Sequence, residues 1–235
     1  MDNPVTQGKR RARELRKELR LSPTQRIDPM AIAKALGVVL VGRPLRARQV
    51  AGAYLYRSST DCSFIMFNTS EKLLRQRFTV CHELGHFFFD KKTSIVEELP
   101  ASAADLPPIE KRANAFAAEL LLPEAGIKAY NALEEWRTSP KQVAELALSY
   151  GSSYVATLWA LCNANRINKE DVSSLTQRFK ELSAETRETF LQPGRENFEI
   201  PSTFEDSLLR AHESKAISTR RVAELRRLIS ETLAF

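Results

Sequence analysis

A short motif in this chain has the spacing of a metal-binding site. His82, Glu83 and His86 form the pattern H-E-x-x-H. On a helix, positions i and i+4 share one face, so His82 and His86 can bind the same metal ion. Glu83 would lie beside that ion, where a peptidase places the general base for the attacking water. The motif predicts a metal site with zinc as its cofactor and Mn²⁺ as a substitute in vitro.

The surroundings of the motif favour a buried site over a surface helix with two solvated histidines. The chain contains only three histidines, and two of them belong to the motif. Apolar residues flank it on both sides, which is typical of a helix packed into a core. These residues are Phe78, Val80, Cys81, Leu84, Phe87, Phe88 and Phe89.

A third metal ligand is expected, because a catalytic zinc commonly has three protein ligands and one open position. The extended pattern H-E-x-x-H-x-x-G-x-x-H is excluded, since Phe89 and Lys92 occupy the positions of its glycine and last histidine. His212 lies far along the chain in a polar segment, and we expect it to be solvated. A downstream carboxylate is therefore expected, and the candidates are Asp90, Glu97, Glu98, Asp105, Glu110, Glu119 and Glu124.

Glu110 is the best placed of these carboxylates. It opens a predicted helix whose apolar residues could pack beside the motif helix. Asn114 follows one turn later and could hydrogen-bond the free ring N–H of a ligand histidine. A first-turn glutamate is also favoured by the helix dipole without any metal. Spacing alone does not choose between these two interpretations of Glu110.

Two longer segments carry a resemblance to a known family. Residues 75–86 read R-Q-R-F-T-V-C-H-E-L-G-H, and residues 110–123 read E-K-R-A-N-A-F-A-A-E-L-L-L-P. They resemble the ImmA/IrrE family of metallopeptidases, whose patterns are R-x-R-F-T-x-A-H-E-L-G-H and E-x-x-A-N-x-F-A-x-x-L-L-M-P. The resemblance implies zinc ligands at His82, His86 and Glu110, with Glu83 as the catalytic glutamate.

This chain departs from the family pattern at two positions. Cys81 stands where alanine is usual, and Leu122 stands where methionine is common. A thiol next to a metal ligand could sense oxidants, but we expect Cys81 to be a packed core residue. The departures leave the proposed ligands and the catalytic glutamate intact.

Composition is that of a globular protein rather than a membrane or secreted one. The chain has 235 residues, 43% hydrophobic and 27% charged, and no apolar run approaches the ~20 residues of a membrane span. The first ten residues hold no apolar signal segment. Three scattered cysteines, Cys62, Cys81 and Cys162, favour reduced thiols over a disulfide framework. We therefore predict a cytoplasmic protein.

The net charge of +6 arises partly from a basic N-terminal segment. Residues 9–20 contain seven lysines and arginines and two glutamates. Such a segment could contact nucleic acid or an acidic partner. A solvated basic helix face explains it equally simply, and we favour that interpretation.

The predicted elements of the first 125 residues form an α+β domain. Helices are expected at 9–20, 29–36, 71–90 and 109–122, and strands at 38–41, 52–56 and 63–67. A looser stretch is expected at 91–108. The sheet would be small and mainly three-stranded, packed by helices as in a minimal zincin-like metallopeptidase.

The remainder is predicted to be helical. Helices at 141–150 and 152–162 around Gly151 have the outline of a helix-turn-helix unit within residues 138–168. Residues 169–235 read as charged amphipathic helices interrupted at 192–194, with no assigned role. The second helix of the unit has no basic residue before Arg166, whereas proteins that bind DNA grooves use such residues. Leu158 and Trp159 instead favour packing or a protein-binding surface.

The predicted function is zinc-dependent cleavage of a specific regulatory protein. The family resemblance implies a helix-turn-helix repressor encoded nearby, whose loss derepresses mobile-element or stress and DNA-damage genes. The alternative is a DNA- or protein-binding regulator in which proteolysis is gated or absent. A second oxyanion donor is expected besides the metal. Its candidates are Tyr54, Tyr56, Tyr150, Tyr154 and Arg77.

Overall fold

The fold is described from a computed structural model of the chain. It describes residues 2–44, 50–58, 61–91, 95–98, 106–130 and 139–192, together with 213, 218–220 and 222–223. His212, Asp105 and most of the segment predicted to be helical at 201–235 lie outside the described residues. Among the described residues, no helix is both long and apolar enough to cross a membrane.

The helices predicted up to residue 191 form, and several bounds move. The described helices are Pro4–Glu18 (α1), Pro29–Ala35 (α2), Leu73–Phe89 (α3), Pro108–Leu121 (α4), Glu124–Ala129 (α5), Pro140–Tyr150 (α6), Tyr154–Asn163 (α7), Lys169–Gln177 (α8) and Ala184–Phe190 (α9). α1 begins five residues before its predicted start because Asn3 caps it and Pro4 follows. α5 was not predicted from the sequence.

Four strands form one mixed sheet. They are Val39–Arg43 (β1), Val50–Arg57 (β2), Cys62–Asn68 (β3) and Ile95–Glu98 (β4), in the order β1-β3-β2-β4. β3 runs parallel to β1 and antiparallel to β2, and β2 runs antiparallel to β4. The three predicted strands and the α+β class are confirmed. The prediction of a loose stretch at 91–108 was wrong where β4 forms, because four residues with two glutamates carry little strand signal.

A first hydrophobic core joins the sheet to the motif helix. α3 packs against β2 and β3 on one side and against α4 on the other. Tyr54 and Ile65 from the sheet, Leu84 from α3 and Phe116 from α4 are fully buried in this core. The core therefore places the H-E-x-x-H helix between the sheet and the helix that carries Glu110.

The basic N-terminal helix packs against α4. A Cβ on Gly8 would collide with the backbone of Arg112, so the two helices approach closely only because Gly8 has no side chain. Arg16 is buried and donates to the carbonyl oxygens of Leu120 at 2.6 Å and Gln25 at 2.8 Å. One side of α1 is thus part of the structural support of α4. The expectation of a merely solvated basic face does not hold for that side.

A second hydrophobic core is built from the later helices. Gly151 adopts the left-handed conformation that ends α6, with φ of 66°, and Ser153 caps α7. These features produce the two helices of the predicted helix-turn-helix-like unit. The helix predicted over 169–191 is divided, because a 3-10 turn at Arg178–Glu181 follows α8 and Ser183 then caps α9.

Candidate metal centre

The motif histidines lie on one face of α3 and are almost completely buried. His82 is 1% exposed and His86 is 0% exposed. Their Nε2 atoms are 3.1 Å apart, as the i,i+4 spacing predicts. Both rings therefore point into one small space between α3 and α4.

Gly85 allows α4 to approach the motif. A Cβ at Gly85 would lie 2.9 Å from Cα and 3.2 Å from Cβ of Ala113 on α4, which is too close for real side chains. Glycine inside a helix costs about 1 kcal/mol relative to alanine, so its presence here needs a packing reason. The reason is close helix contact, which brings the first turn of α4 to the histidines.

Glu110 completes the cluster. Its Oε2 lies 3.0 Å from Nε2 of His82, and its Oε1 lies 3.5 Å from Nε2 of His86. The ligand atoms of the three residues all lie within 4.8 Å of one another. Among the described residues, these are the histidine, cysteine and acidic groups close enough together to hold one metal ion.

The outer nitrogens of both rings face oxygen acceptors. Nδ1 of His82 lies 3.0 Å from Oδ1 of Asn114, and Nδ1 of His86 lies 3.0 Å from Oδ2 of Asp90. In the neutral form of each ring, Nδ1 therefore carries the hydrogen and donates it, which leaves the Nε2 lone pair directed at the shared space. The structure brings Asn114 to the contact suggested from sequence. Asp90, considered there as a third ligand, holds the outer nitrogen instead.

The donor set fits a divalent cation. Two imidazole lone pairs and one carboxylate converge, and such an arrangement is mutually repulsive unless a positive charge lies between them. Nitrogen and carboxylate ligands of this kind suit zinc and related ions. His82, His86 and Glu110 could therefore hold one metal ion between them.

The pKa shifts of Glu110 and His86 in the metal-free protein also show that this cluster favours positive charge beside the carboxylate. Burial alone would raise the pKa of Glu110, but in the metal-free protein hydrogen bonds from the Nε2–H groups of protonated His82 and His86 rings outweigh burial and lower the pKa to about 2. Burial alone would lower the pKa of His86, and hydrogen bonds with Glu110 and Asp90 reverse this and raise the pKa. The carboxylate is therefore ionised at neutral pH and available as a ligand.

Glu83 is fully buried between α3 and the sheet. A Cβ on Gly52 of β2 would come within 3.0 Å of Oε1 of Glu83, so the missing side chain of Gly52 leaves room for this carboxylate. Sequence reasoning missed Gly52, because its closeness to Glu83 depends on how β2 packs against α3. No sequence pattern within either segment indicates that β2 and α3 pack together.

Two of the other candidate carboxylates form ion pairs elsewhere. Arg13 of α1 donates to Glu119 at 2.8 Å, and Lys128 donates to Glu124 at 2.5 Å. Glu97 and Glu98 belong to β4, where the structure describes the backbone alone. The described residues thus bring Glu110, and neither Glu119 nor Glu124, to the histidines.

The five candidate oxyanion donors all donate to another protein oxygen. Arg77 is buried and donates to the carbonyl of Ile27 at 2.8 Å and to that of Gly151 at 2.9 Å. The hydroxyl of Tyr54 donates to the carbonyl of Lys91, and that of Tyr56 donates to the carboxylate of Asp61. The hydroxyls of Tyr150 and Tyr154 donate to the carbonyls of Pro23 and Leu175, respectively. These contacts give all five side chains a structural role.

Cys81 lies in the first core, fully buried. Burial raises the pKa of its thiol to about 12, so the thiolate that reacts with oxidants is not formed at neutral pH. The position agrees with the expectation of a packed core thiol.

We predict that Gly85→Val separates α3 from α4. The added side chain would collide with Ala113, and overpacking of this kind costs about 1–3 kcal/mol of unfolding free energy. Urea unfolding of the metal-free protein measures this loss, and chelator competition should show weaker metal binding. Ala118→Val, on the exposed side of α4, supplies the control for adding a β-branched residue to a helix. Equal stability of both variants would contradict the helix-contact argument.

An H-E-x-x-H helix completed by a carboxylate from a neighbouring helix, beside a small mixed sheet, defines a metallopeptidase. Residues 33–161 match the peptidase family described as IrrE N-terminal-like domain. Because this match covers more than half of the chain, the protein belongs to that family. The resemblance to ImmA/IrrE metallopeptidases is thereby confirmed.

The chain is also similar to a curated relative, Metallopeptidase ImmA of Bacillus subtilis (strain 168). The two are 34% identical over 74 residues, which make up 32% of this chain and 43% of the relative. The chain thus matches less than half the length of that relative.

Proposed function

We propose that this protein is a zinc-dependent endopeptidase with His82, His86 and Glu110 as metal ligands and Glu83 as the catalytic residue. The observation that carries the proposal is the convergence of two Nε2 atoms and one carboxylate within 4.8 Å. Zinc is favoured because two histidines and a glutamate form one of its common catalytic ligand sets. Mn²⁺ is the proposed substitute in vitro.

The residues around the metal site have separate roles in the proposed reaction. A divalent ion bound here would supply Lewis-acid polarisation of the scissile carbonyl and activation of a water molecule. Glu83 accepts the proton of the attacking water and later delivers it to the leaving amine. Asn114 and Asp90 hold the two rings with Nδ1 protonated, so that both Nε2 atoms stay oriented toward the reaction space.

The proposed substrate is a regulatory protein, a helix-turn-helix repressor encoded nearby. The support for this choice is the family resemblance, and the consequence would be derepression of mobile-element or stress and DNA-damage genes. A cytoplasmic location suits such a substrate, and the three cysteines are all free thiols.

The proposed domain organisation places the peptidase in residues 1–125, the helix-turn-helix-like unit in 138–168 and a further helical region in 169–235. The two separate hydrophobic cores support a change of packing after α4. The family match continues through residue 161, so α6 and most of α7 are part of the matched region.

A second candidate function is a protein- or DNA-binding regulator with gated or absent proteolysis. Val155 and Trp159 lie one turn apart on α7 and are 45% and 46% exposed. An apolar helix face of this kind favours contact with a protein over contact with a DNA groove. A mobility-shift assay at low salt tests DNA binding, and salt-sensitive binding would favour the DNA-binding alternative.

Co-expression with the repressor-like product of a neighbouring gene tests the main proposal. The repressor is analysed by mass spectrometry after expression with the wild-type enzyme or with Glu83→Gln. A single defined cut that requires Glu83 would support site-specific proteolysis and identify the bond. An intact repressor in both cultures, with metal bound to the wild-type protein, would overturn the substrate proposal.

A further inference from the structure

Asp90 connects His86 to an arginine that the proposed mechanism does not use. One carboxylate oxygen of Asp90 accepts from Nδ1 of His86 at 3.0 Å. The other accepts from the guanidinium of Arg112 at 2.7 Å. That guanidinium also lies over the ring of Phe89, 4.5 Å from its centroid. The ion pair with Asp90 and the contact with the Phe89 ring together fix the guanidinium of Arg112. Arg112 can therefore hold the carboxylate of Asp90 in place.

The position of Asp90 is unfavourable for the helix that it ends. It is the C-cap of α3, where the helix dipole is negative and a carboxylate is disfavoured. Arg112, reaching from α4, supplies the positive charge that offsets this. A residue that opposes local stability and is compensated from another element is best explained by a role at a site.

The two histidines consequently have different outer partners. His82 donates to a neutral amide, Asn114, whereas His86 donates to the carboxylate that Arg112 holds. A carboxylate partner fixes the ring orientation and makes an imidazole a stronger ligand than a neutral partner does. α4 thus supplies Glu110 to the cluster, Asn114 to one ring and Arg112 to the partner of the other ring.

We propose that Arg112 is a positioning residue: through Asp90 it fixes the orientation and tautomer of His86, and so sets how tightly the centre holds its metal. The inference rests on the proposed function, in which His86 is a metal ligand. It adds that the ion pair between α3 and α4 controls metal affinity, and that the pair acts without contacting the metal or the substrate.

The test compares Arg112→Met with a matched variant, Arg11→Met. Arg11 also lies over a phenylalanine at the end of α3, 4.1 Å from the Phe88 centroid, and also pairs with a carboxylate, that of Glu18. Arg11 and Glu18 both lie on α1, and Glu18 does not pair with a histidine. Arg11→Met therefore measures the effect of losing a stacked, ion-paired arginine that has no link to the metal ligands. Zinc affinity is measured by chelator competition, and the unfolding midpoint is measured without metal.

We expect zinc to dissociate about 10–100-fold more readily from Arg112→Met and to bind Arg11→Met as it binds the wild type. Arg112→Lys should recover part of the affinity, because a lysine can still pair with Asp90. Equal affinities of Arg112→Met and the wild type would overturn this inference alone. If the wild-type protein itself does not compete for zinc, the proposed function fails, and the two failures are thereby distinguished.

A spectroscopic measurement covers the case in which Arg112→Met does not fold. Nitrogen-15 spectra of histidine rings in the metal-free Asp90→Asn protein report which ring nitrogen carries hydrogen, and the chain has three histidines to assign. We expect the His86 signals to show a mixture of tautomers and those of His82 to stay unchanged. Unchanged His86 signals would overturn the positioning role.

Discussion

Replacing Glu83 with glutamine is expected to remove peptidase activity while leaving the metal bound. Glutamine has the size of glutamate, so the buried space beside Gly52 stays filled. Its amide cannot accept the proton of the attacking water, and general acid–base catalysis contributes about 10²–10⁴-fold to such reactions. We therefore expect kcat/KM for the cleaved protein to fall by at least about that factor.

The measurement combines cleavage kinetics with metal analysis of the same sample. Glu119→Gln is a suitable control, because Glu119 is also buried and lies on α4, yet pairs with Arg13 rather than with the histidines. That control should keep its cleavage rate per bound metal. Wild-type activity in Glu83→Gln would remove Glu83 from the mechanism, and loss of metal from it would make Glu83 part of the binding site instead.

Replacing Glu110 with glutamine is expected to release the metal. The carboxylate is the anionic member of the cluster, 3.0 Å from His82 and 3.5 Å from His86. An amide of the same size fills the space but supplies no negative charge to offset the charge of a divalent ion. The affinity should fall by more than the roughly 10–100-fold cost of changing a residue that only supports a ligand. Activity should fall with it.

Metal content after dialysis, with chelator competition for the residual affinity, measures this loss. Glu124→Gln serves as the control, because Glu124 opens α5 and pairs with Lys128 rather than with the histidines. That protein should retain metal. Full metal content in Glu110→Gln would exclude Glu110 as the third ligand and direct attention to the other acidic residues after α3.

The two candidate variants also separate binding from catalysis. Glu83→Gln should bind metal without cleaving, whereas Glu110→Gln should do neither at ordinary metal concentrations. A protein whose cleavage survives both changes would use chemistry outside this cluster. The pair therefore tests the assignment of roles as well as the identity of the site.

Much of the site could be predicted because its residues lie within one or two turns of the same helix. His82 and His86 lie one helical turn apart, so their shared face follows from helix geometry once the segment is known to be helical. The same holds for Glu110 and Asn114 on α4. Capping residues such as Asp28 and Ser139 likewise mark helix starts through contacts within a few residues.

Features that depend on packing between distant segments were missed or left open. Spacing alone did not decide whether Glu110 is a metal ligand or only a first-turn glutamate, since that depends on the approach of α4 to α3 at Gly85 and Ala113. The contact of Gly52 with Glu83 requires β2 to lie against α3. β4 was missed because its pairing with β2, rather than its own four residues, makes it a strand.

The amino-acid sequence by itself determined most of the helices, the three main strands, the H-E-x-x-H motif and the family resemblance, because each rests on short-range periodicity or on contiguous residues. Only the tertiary structure decided that Glu110 reaches both histidines, that Asp90 faces the outer nitrogen of His86, and that Arg112 holds Asp90. These depend on distances of about 3 Å between atoms on different elements. Such distances are set when the helices and the sheet pack into one core, and no local pattern encodes them.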